Sequence, residues 1–378
     1  MIALAAGRLF DGTALSRDRV VVIDGDRIAA IAGDIPAGMA AETLPPDAIL
    51  APGFIDLQVN GGGGVMLNDA VTADTMRDIA AAHARCGTTT ILPTLISGSR
   101  AQIRQALTQA EHPIPGVGGL HVEGPFISLA RRGIHPAAAV TAITDEDVAM
   151  LATPGARKLL LTLAPEAVPT GFVTRLAQAG VVVFAGHTDT DYESARDALA
   201  AGASGFTHLF NAMSPFASRA PGAVGAALAH RDAYASIIVD GHHVHPAAVT
   251  AAFAAKGAGR LFLVSDAMAT AASAIDHFSF DGDTIRLTDG RLPNDVGTLA
   301  GAHLTMAEAV RNAVDLAGIP LPDALRMATA TPASCMGLAD RGSLSAGRRA
   351  DLVALDRDLR VIAVWQGGAP LANAAVRA

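Results

Sequence analysis

Four stretches decide the architecture of this chain: GVGGLHVE (116–123), GVVVFAGH (180–187), ASGFTHLF (203–210) and RLFLVSD (260–266). Each is a short apolar run bounded by or opening near glycine and rich in Val, Leu, Ile or Phe, the texture of a strand buried on both faces in a parallel sheet. Each carries an ionisable residue at or near its end: Glu123, His187, His208 and Asp266. Polar side chains at the carboxyl ends of several parallel strands are the arrangement in which α/β barrels build their sites.

Outward from these runs the rhythm continues. Eight strand candidates are legible, at 49–58, 88–94, 117–123, 158–163, 180–186, 203–208, 235–240 and 260–265. Helical patterns separate most of them, among them 72–85, 99–110, 143–152, 190–201 and 246–256. Eight βα units predict a closed (β/α)₈ barrel of TIM type, in preference to an open doubly wound sheet. Segment 267–302 interrupts the alternation with a predicted hairpin in HFSFDGDTIRLTDGRL, and helices at 303–317 and 321–335 then close the barrel. Short runs punctuated by Asp-Gly near the N-terminus (LFDG, VIDGD) and ADLVALDRD with RVIAVWQGG near the C-terminus predict strands. The two ends are expected to build one small β-sandwich, giving residues 1–48 and 342–378 to that unit and 49–341 to the barrel.

The 378 residues are 51% hydrophobic and 17% charged, which gives a well-filled core and excludes a disordered chain. The formal charge of −8 leaves no electrostatic footprint for nucleic acid, and an anionic substrate requires a local cluster of donors. No uncharged run reaches membrane-spanning length, and the N-terminus lacks a basic stretch leading into an apolar one. Cys86 and Cys335 are too few for a disulfide framework and read as core residues. Together these predict a cytoplasmic protein with neither a nucleic-acid nor a membrane partner.

One carboxylate and two imidazoles can hold a divalent ion and leave a coordination position open, so Glu123, His187 and His208 are candidate metal ligands. Asp266, after the last strand, is the candidate proton carrier for a water attacking the substrate. The residue types point to metal-dependent hydrolysis.

The motifs are specific enough for a family resemblance. PGFIDLQVNGGGG (52–64), LPTLIS (92–97), GLHVEGPFISLARRGIH (119–135), THLFNAMSP (207–215), VDGHHVH (239–245), LVSDAM (263–268) and GTLAGAHLTM (297–306) resemble the N-acetylglucosamine-6-phosphate deacetylases of the amidohydrolase superfamily. The resemblance covers essentially the whole chain. It implies Glu123, His187 and His208 as metal ligands and Asp266 as catalytic acid/base. It further implies Ile134 and His135 beside the substrate amide, Asn211 and Ala212 as backbone contacts of the sugar phosphate, and His243 and the loop Leu299, Ala300, Gly301 and Ala302 as substrate-lining residues. Arg219 matches an arginine given to the phosphate across the interface of a homodimer. His242 and His245 flank His243, and the pattern alone does not decide which of the three faces the pocket.

Many members of the superfamily carry His-x-His after the first barrel strand, where Gln58-Val59-Asn60 stands here. Neutral amides are poor ligands for zinc-like ions, so one tight metal per subunit is expected: zinc first, with iron, manganese and cobalt as alternatives. The implied reaction is hydrolysis of the N-acetyl group of N-acetylglucosamine 6-phosphate. The galactosamine epimer is the nearest competing substrate. A cyclic-amide hydrolase is expected to keep His-x-His and usually a lysine for carboxylation, and a catalytically dead barrel is expected to lose a ligand or the acid/base.

Overall fold

A computed structural model describes residues 1–153 and 158–371. Eight parallel strands form one sheet in chain order. They are β1 (Phe54–Val59), β2 (Thr88–Ile96), β3 (Gly119–Glu123), β4 (Lys158–Leu163), β5 (Val182–Ala185), β6 (Gly205–Phe206), β7 (Tyr234–Ile237) and β8 (Leu261–Leu263). Every neighbouring pair is parallel. Among the described residues no ladder joins β8 back to β1. That seam is closed by single bonds and a bridge between Val59 and Ala267.

The strands alternate as a two-residue period requires. In β3, Leu120 and Val122 join the apolar layer against the helices, while His121 and Glu123 reach polar partners inside the barrel. In β1, Ile55 and Leu57 pack outward, and Asp56 and Gln58 make their hydrogen bonds inside. The helices between strands begin where a short polar side chain can take a free amide of the first turn. Thr72, Ser99, Thr144, Asp191 and Thr305 each do so, and Ser99, Thr144 and Thr305 complete reciprocal capping boxes.

Two elements differ from the sequence reading. The apolar run 49–58 is two strands. Ile49–Pro52 leaves the barrel and pairs with Leu352–Leu355, while β1 starts at Phe54. Gly53 permits the break, because a Cβ there meets the Thr89 hydroxyl at 2.1 Å. The helix expected over 321–335 is two helices, Leu321–Met327 and Ala330–Met336. Pro332 cannot donate in a helix interior, so the chain restarts with the proline in a first turn.

The N- and C-terminal segments make the small β unit as one eight-stranded sheet with its own apolar cluster, including Leu4, Val21, Leu50, Leu352 and Trp365. Residues 372–378, given to this unit from the sequence, lie outside the described residues. The excursion after β8 contains the expected hairpin, His277–Phe280 against Asp283–Arg286. No helix among the described residues is long and apolar enough to cross a membrane.

Candidate active site

The carboxyl ends of the barrel strands open into a cavity of about 560 Å³. Glu123, His187, His208 and Asp266 all line it. Three atoms meet at its floor. Glu123 Oε1 lies 3.1 Å from His208 Nε2 and 3.4 Å from His187 Nε2, and the two Nε2 atoms are 3.0 Å apart. Ligand distances of about 2.0–2.1 Å place neighbouring donors of a tetrahedral site roughly 3.3–3.4 Å apart, so these three fit around one divalent cation. His187 Nδ1 donates to the Arg131 carbonyl at 2.9 Å, which fixes the tautomer with the Nε2 lone pair toward the site. Such a set of buried O and N donors is that of a divalent-metal site.

A second set shares two of these residues. Glu123, His135 and His187 bring one donor atom each within 4.8 Å of one another. His135 Nε2 stands farther off, 3.9 Å from Glu123 Oε2, and its Nδ1 is held by Ser97 Oγ at 2.7 Å. Gly124 makes this contact accessible. At φ 76° it turns the chain away from Glu123, and a Cβ there meets Ser97 Oγ at 2.2 Å.

Electrostatics separate the two carboxyls. Burial raises the Glu123 carboxyl, but the adjacent His187 and His208 rings outweigh it and hold the group well below the usual carboxylate range. Burial lowers His208, but its bond to Glu123 wins and raises it. Asp266 is pushed up to about 6, first by burial and then by the Glu123 charge. Gln58 Nε2 bridges the pair, donating to Glu123 Oε1 at 2.8 Å and to Asp266 Oδ1 at 3.0 Å, and Asn60 Nδ2 adds a 2.7 Å bond to Asp266. The backbone at His187 (φ 47°), His208 (φ 34°) and Asp266 (φ 51°) is left-handed, a cost that clusters where side chains must be aimed.

Ile134, Asn211, Ala212 and His243 also line the cavity. Of the three neighbouring histidines, only His243 does so. Its Nδ1 is bound to Asp240 Oδ2 at 2.6 Å, His242 is exposed, and His245 caps the helix Pro246–Lys256. Burial raises the Asp240 carboxyl, but its bonds to His243 hold it at about 2. In the loop 299–302, Leu299 and Gly301 face the cavity, whereas Ala300 and Ala302 are buried and do not line it. The loop is a strand, Leu299–Ala302, and successive residues point to opposite sides. Arg219 does not line its own chain's cavity. It lies in an exposed loop beside Phe216, which is 64% exposed.

Several residues of this region carry no signal in the sequence. His121 is buried one layer below Glu123, between Thr94 (3.3 Å) and Thr162 (2.8 Å), and burial drops it to about 4. Arg131 and Arg132 line the cavity, Arg131 paired with Asp189 at 2.8 Å and Arg132 with the His135 carbonyl at 2.7 Å. Their place in a motif with an expected role only at its ends hid them.

Comparison with known proteins agrees with this geometry. The chain is 44% identical over 326 residues to an N-acetylgalactosamine-6-phosphate deacetylase of Shewanella sp. (strain ANA-3), covering 84% of this chain and 82% of that one. It is 36% identical over 363 residues to the N-acetylglucosamine-6-phosphate deacetylase of Haemophilus influenzae, covering 93% and 94%. The crystal structure of N-acetylglucosamine-6-phosphate deacetylase from Pasteurella multocida superposes with a TM-score of 0.94 at 35% identity, over 98% of this chain and all of that one. The model of the amidohydrolase family matches residues 49–374. By barrel, donor set and sequence alike, the chain belongs to the amidohydrolase family.

Proposed function

We propose that this chain hydrolyses the N-acetyl group of an amino-sugar 6-phosphate, N-acetylglucosamine 6-phosphate first, releasing acetate and the free amine. The observation that carries the reading is the convergence of Glu123, His187 and His208 within 3.4 Å, with Asp266 tied to the same Gln58 amide. The metal ligands are assigned as Glu123, His187 and His208, because their donor atoms lie within 3.4 Å of one another, whereas His135 Nε2 stands 3.9 Å from Glu123. A bound divalent ion, zinc before iron, manganese or cobalt, supplies the Lewis acidity that brings water's pKa toward neutrality.

The chain's own groups supply the rest. Asp266, ionised and held by Gln58 and Asn60, takes a proton from the attacking water and returns it to the departing nitrogen. His135 is kept neutral by its burial. The 2.7 Å bond from the Ser97 hydroxyl to Nδ1 is shorter than that hydroxyl's 3.4 Å approach to the Glu123 carbonyl. In the tautomer in which Ser97 donates to Nδ1, His135 Nε2–H is left to donate to the substrate's amide oxygen. His208→Asn is then expected to strip the metal, whereas His135→Asn keeps it and lowers kcat. Metal loss in His135→Asn with retention in His208→Asn would exchange the two assignments.

Arg219 is assigned to the phosphate site of a second copy in a homodimer. The support is an arginine and an exposed phenylalanine on one loop outside their own cavity. Arg219→Ala is expected to cost about 1.5–3 kcal/mol in kcat/KM on phosphorylated substrates and little on the unphosphorylated sugar. Mixed dimers of Arg219→Ala and Asp266→Asn subunits contain one site with both groups intact, so activity should return on subunit exchange. Verified hybrids without recovery return Arg219 to its own subunit.

The Shewanella relative favours a second reading, with the galacto epimer as preferred substrate. Acetate release from both epimers, with and without the 6-phosphate, by protein of known metal content tests both readings. Preference for either phosphorylated epimer selects between them, and no acetate from any of the four rejects the activity.

A further inference from the structure

One buried carboxylate that the proposed chemistry does not use bonds across the barrel seam. Asp56 is fully buried in β1. Its Oδ1 accepts from the Gln58 amide at 3.2 Å, and both oxygens take the Ser265 amide at 3.2 Å. The next residue, Asp266, gives its own amide to the Gln58 carbonyl at 3.0 Å, and its carbonyl accepts from Ala302 at 2.9 Å. Asp56 therefore spans the seam where β8 and β1 lack a ladder, one residue before the strained backbone of Asp266.

We infer that Asp56 is a positioning residue that fixes the aim of Asp266 by anchoring Ser265 to the first barrel strand. Two features separate this from ordinary core support. The carboxylate touches the turn that carries Asp266 and the strand that carries Gln58, so both partners of the Gln58–Asp266 bond are referenced to one group. A left-handed residue without side-chain freedom to compensate relies on its backbone neighbours to hold it. The charge itself is dispensable, because burial pushes Asp56 up to about 7 and an amide can still accept from Ser265 and Gln58.

The inference rests on the deacetylase reading for its kinetic arm and on no activity for its structural arm. Asp56→Ala is expected to lower kcat about 10²-fold, as misplacement of a reacting group does, with KM within about threefold and metal content unchanged. Asp56→Asn should stay within about fivefold of wild type. In an Asp266→Asn background Asp56→Ala should add less than about threefold, since the group it aims is already lost. Independently of substrate, amide hydrogen exchange at Ser265 and Asp266 should speed up in Asp56→Ala by an order of magnitude or more, with β3 and β4 unaffected. If Asp56→Ala does not fold, Asp56→Ser, whose hydroxyl stops short of the Ser265 amide, takes its place. Unchanged exchange at Ser265, an additive loss with Asp266→Asn, or a rise in KM in place of a fall in kcat overturns the inference. Absence of activity in the wild type rejects the deacetylase reading alone, and the exchange measurement still decides the role of Asp56.

Discussion

Asp266→Asn is expected to lower kcat about 10²–10⁴-fold while metal content and substrate affinity stay close to wild type. The asparagine can keep its oxygen at the position where Gln58 and Asn60 now donate, at 3.0 and 2.7 Å. Its nitrogen then stands where the second carboxylate oxygen was, and an amide takes no proton from water. Asp266 is pushed up to about 6 by burial and then by the charge of Glu123. A base must be ionised, so kcat/KM of the wild type is expected to fall as the pH drops through that region. In Asp266→Asn this acid limb should be missing from the residual activity. Turnover within a few-fold of wild type, or an unchanged acid limb, removes Asp266 from the role of proton carrier.

Glu123→Gln is expected to empty the metal site and, with it, abolish turnover. Glu123 is the single charged donor of the proposed set, and its Oε1 is the atom on which His187, His208 and Gln58 converge. A neutral amide attracts a divalent ion weakly and cannot replace a carboxylate among imidazoles. It also brings an NH₂ that competes with Gln58 for the same space. Metal analysis of purified Glu123→Gln should give well under one ion per chain, against one in the wild type. Circular dichroism should be unchanged, because the strand that carries Glu123 is held by ladders on both sides. A full complement of metal in the variant, or two tightly held ions in the wild type, overturns the ligand assignment.

The positions that were legible in the sequence share a physical cause. Glu123, His187, His208 and Asp266 stand where an apolar run stops, and a polar group there has no structural reason to follow buried strand. Helix starts were legible because Thr72, Ser99 and Thr144 are caps with a chemical job. What stayed hidden sits inside the runs. Asp56 and His121 lie in the middle of buried strands, facing the barrel interior, where a single polar residue looks like any interruption of a hydrophobic pattern. The division of 49–58 was masked because both strands are apolar and only Pro52-Gly53 separates them. The choice among His242, His243 and His245 needed the Asp240 bond, a contact set by loop geometry that strand alternation does not describe. Left-handed backbone at His187, His208 and Asp266 is likewise a product of the folded turns.

The sheet that joins the two ends of the chain imposes a timetable on synthesis. Ile49–Pro52 lies between Ile2–Phe10 and Leu352–Leu355, with Pro52 facing Leu352 across 300 positions of sequence. At about 5–20 residues per second, a ribosome needs on the order of 15–60 s to deliver the missing neighbour. During that interval the N-terminal strands present a row of unpaired amides and carbonyls, the template on which separate chains join edge to edge. The barrel can assemble behind them as its units emerge, each strand pairing with the one before it. Nascent chains released before Leu352 are therefore expected to carry a folded barrel and an open edge. Their fate in the cell is set by whichever reaches that edge first, a chaperone or another unfinished copy.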